Sequence, residues 1–353
     1  MVSQNNFGKG YVAEELLRSY FLKSGYYVSR GVPFAYKGFD VTDIDIWLYS
    51  RASPVSRDIA IVDIKNKKTP QAIERIFWVQ GLKHAVGASK AIIATTDKRQ
   101  EVRDFGHDMN VLVLDGVFIS KLGGKEKLNP NRFTEEEFYR LIDAYPLAKF
   151  DGDWKSRIRE CKSFLAKGLN FDSCNVWLDH AKFFVENSIS NQLQRDTSVR
   201  CFYLISSYFA LAVDYLLKDL SFLDQVERNF ALQEGFTYGS KGRSGVKNML
   251  ELAVGLVEQY SVGGAVAAAQ IRSGVDAQLS SMSASVLSEY LSKPEVGRTL
   301  FSVARELESL SMQRVFVHHS GASLELKGFL YCLLDFWGID RTLLSEKQAT
   351  IKF

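Results

Sequence analysis

The chain has 353 residues, of which 46% are hydrophobic and 24% charged, with a formal net charge of +3. That length favours two domains over one, and the composition is that of a globular protein with enough apolar residues for sizeable cores, which excludes a disordered or fibrous chain. The near balance of charge names no partner by itself.

The polar start, Met1-Val2-Ser3-Gln4-Asn5-Asn6, is unlike a signal peptide. No uninterrupted apolar run is long enough to span a bilayer, so a cytoplasmic protein without membrane attachment is expected. Cys161, Cys174, Cys201 and Cys332 fit no zinc-ligand spacing. They read as small buried residues of a reducing compartment.

In chain order, residues 8–25 read as a helix, because Ala13, Leu16, Leu17, Tyr20 and Phe21 recur at helical spacing. Helix phase puts Glu14 at the border of that apolar stripe. Glu15 points nearly opposite, where a solvated partner for Arg18 or Ser19 is expected. Residues 26–29 read as a short strand, and residues 31–42, with Pro33 and two glycines, as a loop. Asp43-Ile44-Asp45-Ile46-Trp47-Leu48-Tyr49 is a strand with both acids on one face. A polar turn joins it as a hairpin to Ala60-Ile61-Val62-Asp63-Ile64-Lys65.

A helix over residues 69–86 follows, opened by Thr69-Pro70. Then come a strand at 90–96, a short helix at 100–109, a strand at 111–115 and a closing segment at 117–122. The order α-β-β-β-α-β-α-β predicts an α/β domain with helices on both faces of a mixed sheet.

On the Asp63 strand, Asp63 and Lys65 share a face while Val62 and Ile64 take the other. An acid and an ammonium side by side at a strand end suit a metal-dependent phosphodiesterase. There the acid holds a divalent cation, and the lysine orients a water or steadies the phosphate. Asp45 would lie across the hairpin, close enough to Asp63 to share an ion; Asp43 shares its strand face, so alternation alone does not choose between the two acids.

Four stretches together resemble the PD-(D/E)XK nuclease superfamily, within it the Mrr-like restriction endonucleases and Holliday-junction resolvase-like proteins. They are Gly10-x-x-x-Glu14 with Tyr20 and Gly25-Tyr26; Thr42-Asp43-Ile44-Asp45-Ile46; Val62-Asp63-Ile64-Lys65; and the later strands Ile92-Ile93-Ala94-Thr95-Thr96-Asp97 and Val113-Leu114-Asp115-Gly116. Ile44 stands where the superfamily's name has proline. The resemblance covers roughly residues 8–122 and implies a restriction-endonuclease-like fold over residues 1–125. It further implies that Asp45, Asp63 and Glu14 hold magnesium (or manganese), that Lys65 is catalytic, and that Gln80 on the next helix assists, as a glutamine does in several subfamilies. A solvated helix glutamine is the plainer reading of Gln80.

DNA is the implied substrate, and one site of this kind cuts one strand, so a homodimer or a partner protein of a defence system is expected. Lys67, Lys68, Arg75 and Lys83 follow the site in sequence and would contact phosphates; a merely solvated face is the alternative.

Residues 126–153 read as a linker containing a helix. Residues 154–353 read as an all-helical domain for sensing, oligomerisation or partner docking. Its candidate helices lie at 154–169, 177–187, 198–217, 246–260, 286–291, 296–310 and 324–336. Residues 235–245 read as a loop, and the glycine-alanine run at 263–269 as close helix packing or a loop. Arg314-Val315-Phe316-Val317-His318-His319 resembles the Arg-x(4–6)-His signature of HEPN ribonucleases, which would make Arg314 and His319 a second, RNA-directed site. A nucleic-acid-binding subunit without catalysis is the third reading.

Overall fold

The computed structural model describes residues 9–65, 71–125, 128–281 and 283–344. Its first elements are α1 (Lys9–Lys23), β1 (Tyr27–Tyr36), β2 (Phe39–Arg51), β3 (Arg57–Lys65), α2 (Ala72–Ala85), β4 (Lys90–Thr95), α3 (Gln100–Asp108), β5 (Val111–Leu114) and α4 (Gly116–Lys125). The strands form one mixed sheet in the order β1-β2-β3-β4-β5. β1, β2 and β3 are an antiparallel meander, whereas β3, β4 and β5 are parallel and need α2 and α3 as crossovers.

Period-2 alternation sorts the side chains between the two faces. Ile46 and Leu48 of β2, Ala60, Val62 and Ile64 of β3, and Ile92 and Ala94 of β4 pack under Ala13, Leu17 and Phe21 of α1 and Leu122 of α4. The other face carries Trp47 and Tyr49, both fully buried and stacked at 6.3 Å, and receives α2 and α3.

Residues 31–42 are a hairpin, not a loop. β1 continues through Pro33 to Tyr36 and turns back at Lys37 and Gly38, whose φ values of 48° and 88° make the tight turn that glycine favours. Pro33 is tolerated because β1 is the sheet's edge strand.

The remaining helices are α5 (Glu135–Asp143), α6 (Trp154–Lys167), α7 (Phe171–Ser190), α8 (Arg195–Leu216), α9 (Gln225–Tyr238), α10 (Gly242–Tyr260), α11 (Gly264–Ser281), α12 (Ala284–Leu291), α13 (Pro294–Met312) and α14 (Leu324–Trp337). The chain divides into two compact units. The first comprises Met1–Gly168, Val199–Ile205 and Glu308–Phe316, and the second the rest.

The boundary is therefore not near residue 153. Thr134 and Glu137 form a capping box at the start of α5, Phe138 and Ile142 are buried, and α6 packs on β1. The stretch read as a linker and first helical segment is thus a covering layer of the α/β unit. In the second unit, the span 235–245 is mostly the end of α9 and the start of α10, and the glycine-alanine run opens α11.

All four cysteines are buried, and none of them is in a disulfide. The helical stretch Gln192–Leu216 is by length and composition apolar enough to cross a membrane, but 89% of its most apolar window is buried inside the protein.

Glu15 also departs from expectation. It does pair with Arg18, at 3.2 Å, but it is buried rather than solvated. Helix phase identifies which residues meet the sheet; it does not reveal that α5 will cover the other side of α1, where the Glu135 amide donates to Glu15. Burial raises the Glu15 carboxyl, but Arg18 and Arg30 outweigh it and hold it below the usual carboxylate range.

Arg18 also donates to Glu308, at 3.1 Å, and Arg132 reaches the same oxygen. One carboxylate thus serves two buried guanidiniums. Glu308→Gln is expected to destabilise the fold by about 3 kcal/mol or more, because breaking a buried pair leaves a charge uncompensated. A drop in the urea midpoint checks this; an unchanged midpoint refutes it.

Candidate active site

β2 and β3 pair through Ile46 and Val62, and the ladder stops there. The next residues along, Asp45 and Asp63, are cross-strand neighbours just past the last backbone pair. β3 itself continues beside β4 as far as Lys65, opposite Thr95. The Ile64 N–H that β2 would otherwise engage is taken by a side chain: it donates to Asp45 Oδ2 at 2.6 Å. Asp45 is thereby fixed on the backbone between Asp63 and Lys65.

Burial pushes the Asp45 carboxyl up to about 7. The Ile64 N–H opposes this, the negative charges of Asp63 and Glu14 reinforce it, and Lys65 opposes it again. These four predicted residues therefore share one electrostatic neighbourhood.

Each of the other two acids is held by an arginine. Asp63, buried at 7% exposure, accepts a bidentate pair from Arg75 of α2, with Nε at 2.8 Å and Nη2 on the second oxygen. Glu14, half-buried on α1, accepts from Arg30 of β1 through Nη2 at 2.5 Å and Nε at 3.2 Å. Arg30 also contacts Glu15 and Glu136 and lies over the Tyr11 ring at 5.1 Å.

Three carboxylates are hard oxygen donors suited to magnesium or manganese. The repulsion that raises Asp45 is the kind a divalent cation relieves. Among the described residues no three such ligands are gathered as a finished cation cage; a backbone N–H and two arginines each claim one carboxylate.

The remaining predicted residues fall elsewhere. Gln80 donates to the Met109 carbonyl at 2.7 Å, just before β5 begins and hence at the end of the sheet away from Lys65. α2 runs back from the site to the start of β4, so each residue after Arg75 moves about 1.5 Å further off. Lys83 lies further along, half-buried in a shallow pocket with Gln80, His84, Gly87 and Ala88. Arg75 is engaged with Asp63 rather than presented as an unpaired phosphate contact. Lys67 and Lys68 lie outside the described residues.

Asp115 and Gly116 of the later-strand motif serve the fold. Asp115 accepts from the Val117 and Phe118 amides at the start of α4 and pairs with Arg103. A Cβ on Gly116 would meet the Thr96 carbonyl oxygen at 2.3 Å.

Within the HEPN-like run, residues 314–318 are not helical, and His319 only opens a short 3-10 turn. Arg314 pairs with Glu137 at 2.7 Å and stacks on Phe133 within the first unit. His319 belongs to the second unit, where it is 2% exposed and its ring lies against that of His318, tilted by 43° with centroids 4.1 Å apart. Burial, then His318, pushes its pKa down to about 4, so it stays neutral and enclosed.

Arg30 is the site neighbour that sequence reasoning missed. Its signal was available: an arginine alternating with Val28 and Val32 on the inward face of a strand demands a buried acid.

The Asp45 geometry sets a trade between stability and site chemistry. Its folded pKa of about 7 lies above its ordinary 3.8, so the stability it contributes is complete below that ordinary value and is lost as pH rises through about 7. In metal-free protein above about pH 7, Asp45→Asn is expected to stabilise the fold by on the order of 3 kcal/mol and to flatten that pH dependence. Thermal melts in EDTA across pH check this, and a variant less stable than wild type at every pH refutes it.

Comparisons with protein-family models, with curated proteins and with solved structures give no match to this chain, so the reading of the site stands on its residues alone.

Proposed function

We propose that the first unit is a magnesium-dependent DNA endonuclease with a PD-(D/E)XK restriction-endonuclease-like core, acting in the cytoplasm in restriction or anti-phage defence. The observation that carries this is the Asp45 carboxylate seated on the Ile64 N–H between Asp63 and Lys65, under the charges of Asp63, Glu14 and Lys65. The sheet contributes three of these residues from adjacent positions on two strands, and α1 contributes the fourth.

In this reading Asp45 and Asp63 would hold the cation, with Glu14 binding it directly or through water. The ion would supply Lewis-acid activation of the phosphate and a more acidic water. Lys65, half-buried at the end of β3, orients the attacking water and offsets the charge that builds on the pentacovalent phosphate. Asp45 keeps its position through the Ile64 N–H whichever protonation state it is in. The second unit, all-helical, serves target sensing, oligomerisation or partner docking, and two copies of the site would cut two strands.

Lys65→Ala is expected to lower magnesium-dependent cleavage of plasmid DNA by about 100-fold or more while leaving the melting temperature near that of wild type. Asp63→Ala should lower cleavage as much. EDTA should abolish cleavage, and His319→Ala should leave it intact. Full cleavage by Lys65→Ala would sink the assignment.

A further inference from the structure

The Arg75 guanidinium makes two contacts at once. Its Nε and Nη2 form a fork on the two oxygens of Asp63. It also lies 5.4 Å from the ring centroid of Trp78, one turn further along α2, whose indole is 41% exposed. Asp63 is nearly buried, whereas the Arg75 side chain is 24% exposed, so the arginine has room to move and the carboxylate does not. A bidentate guanidinium occupies both carboxylate oxygens and adds a positive charge, so it competes directly with a divalent cation for the same lone pairs.

Building on the nuclease reading of this site, we propose that Arg75 is a latch: it closes Asp63 in the metal-free protein, and cation binding breaks the fork, leaving the guanidinium on the exposed Trp78 face that it already touches, where it can meet a substrate phosphate. Two features favour this over a permanent structural pair. The guanidinium already lies over the indole, a cation–π contact it keeps when the fork opens, so opening does not strand it. Asp63 and Asp45 are also cross-strand neighbours. Asp45 is fixed by a backbone N–H that leaves it further lone pairs to donate, whereas the Asp63 oxygens are both covered. Asp63 is therefore where access to a cation is decided.

The test is direct binding of manganese to the full-length protein, followed by the magnetic-resonance signal of the free ion, for wild type, Arg75→Ala and Arg75→Lys. The latch predicts manganese affinity raised about tenfold or more in both variants, because lysine keeps the charge but cannot form the planar fork. If only the alanine variant binds more tightly, charge alone accounts for the effect and the latch fails. Equal affinities in all three proteins, or no binding to any, also overturn it.

Because the readout is metal binding, the two readings separate. A protein that loads manganese in an Arg75-dependent way yet cuts no DNA refutes the nuclease and leaves the latch standing. A protein that cuts DNA with a metal affinity indifferent to Arg75 does the reverse.

Discussion

The candidate site depends on a hydrogen-bond substitution at the end of a β-ladder. Where the β2–β3 ladder ends, β3 continues with an N–H that its neighbour's backbone no longer claims. Burying that group unpaired would carry a free-energy cost of about 1–3 kcal/mol, and the Asp45 carboxylate removes it. The same bond fixes a carboxylate beside Asp63 and Lys65 while keeping it half-buried, which is why its proton affinity is raised. Local backbone satisfaction and a cluster of like charges are thus one arrangement. The fold gains a hydrogen bond and accepts electrostatic strain that a bound cation would relieve.

Much of the first unit was legible in the sequence, for physical reasons. β-Branched runs and strict alternation placed β2, β3, β4 and β5, and the α1 stripe identified the residues that meet the sheet. The β1–β2 hairpin was hidden because glycine and proline are loop signals everywhere except at an edge strand and a two-residue turn, where both are welcome. α11 was hidden for the opposite reason. Most of its described side chains are exposed, so no apolar stripe marks its phase.

At the site, alternation placed Asp45, Asp63 and Lys65 on a shared face, and these are the residues that come together. Gln80 was misplaced although the means to place it were present. A helix that connects two parallel strands must run back along the sheet, so only its first turn can stay beside the end of β3. Arg75 lies in that turn and Gln80 does not. Glu15 and Arg30 needed more than α1 and β1 to interpret, because the layer that buries them comes from α5 and α6, more than a hundred residues later.

That buried layer bears on the site itself. Arg30 bonds Glu14 and Glu15, Glu15 bonds Arg18, and Arg18 and Arg132 share Glu308. Ion pairs buried this deeply gain little net stability over well-packed apolar residues, since desolvation offsets most of the attraction. What they do impose is direction: a guanidinium with several fixed partners has few orientations left, and the carboxylate oxygen that takes two of its N–H groups is aimed as a consequence. Glu14, a half-exposed side chain that alone would sample several rotamers, is the beneficiary. The network is therefore better explained by the position it gives Glu14 than by the stability it adds, and Arg30, enclosed between Glu15, Glu136 and Tyr11, is the residue through which that position is set.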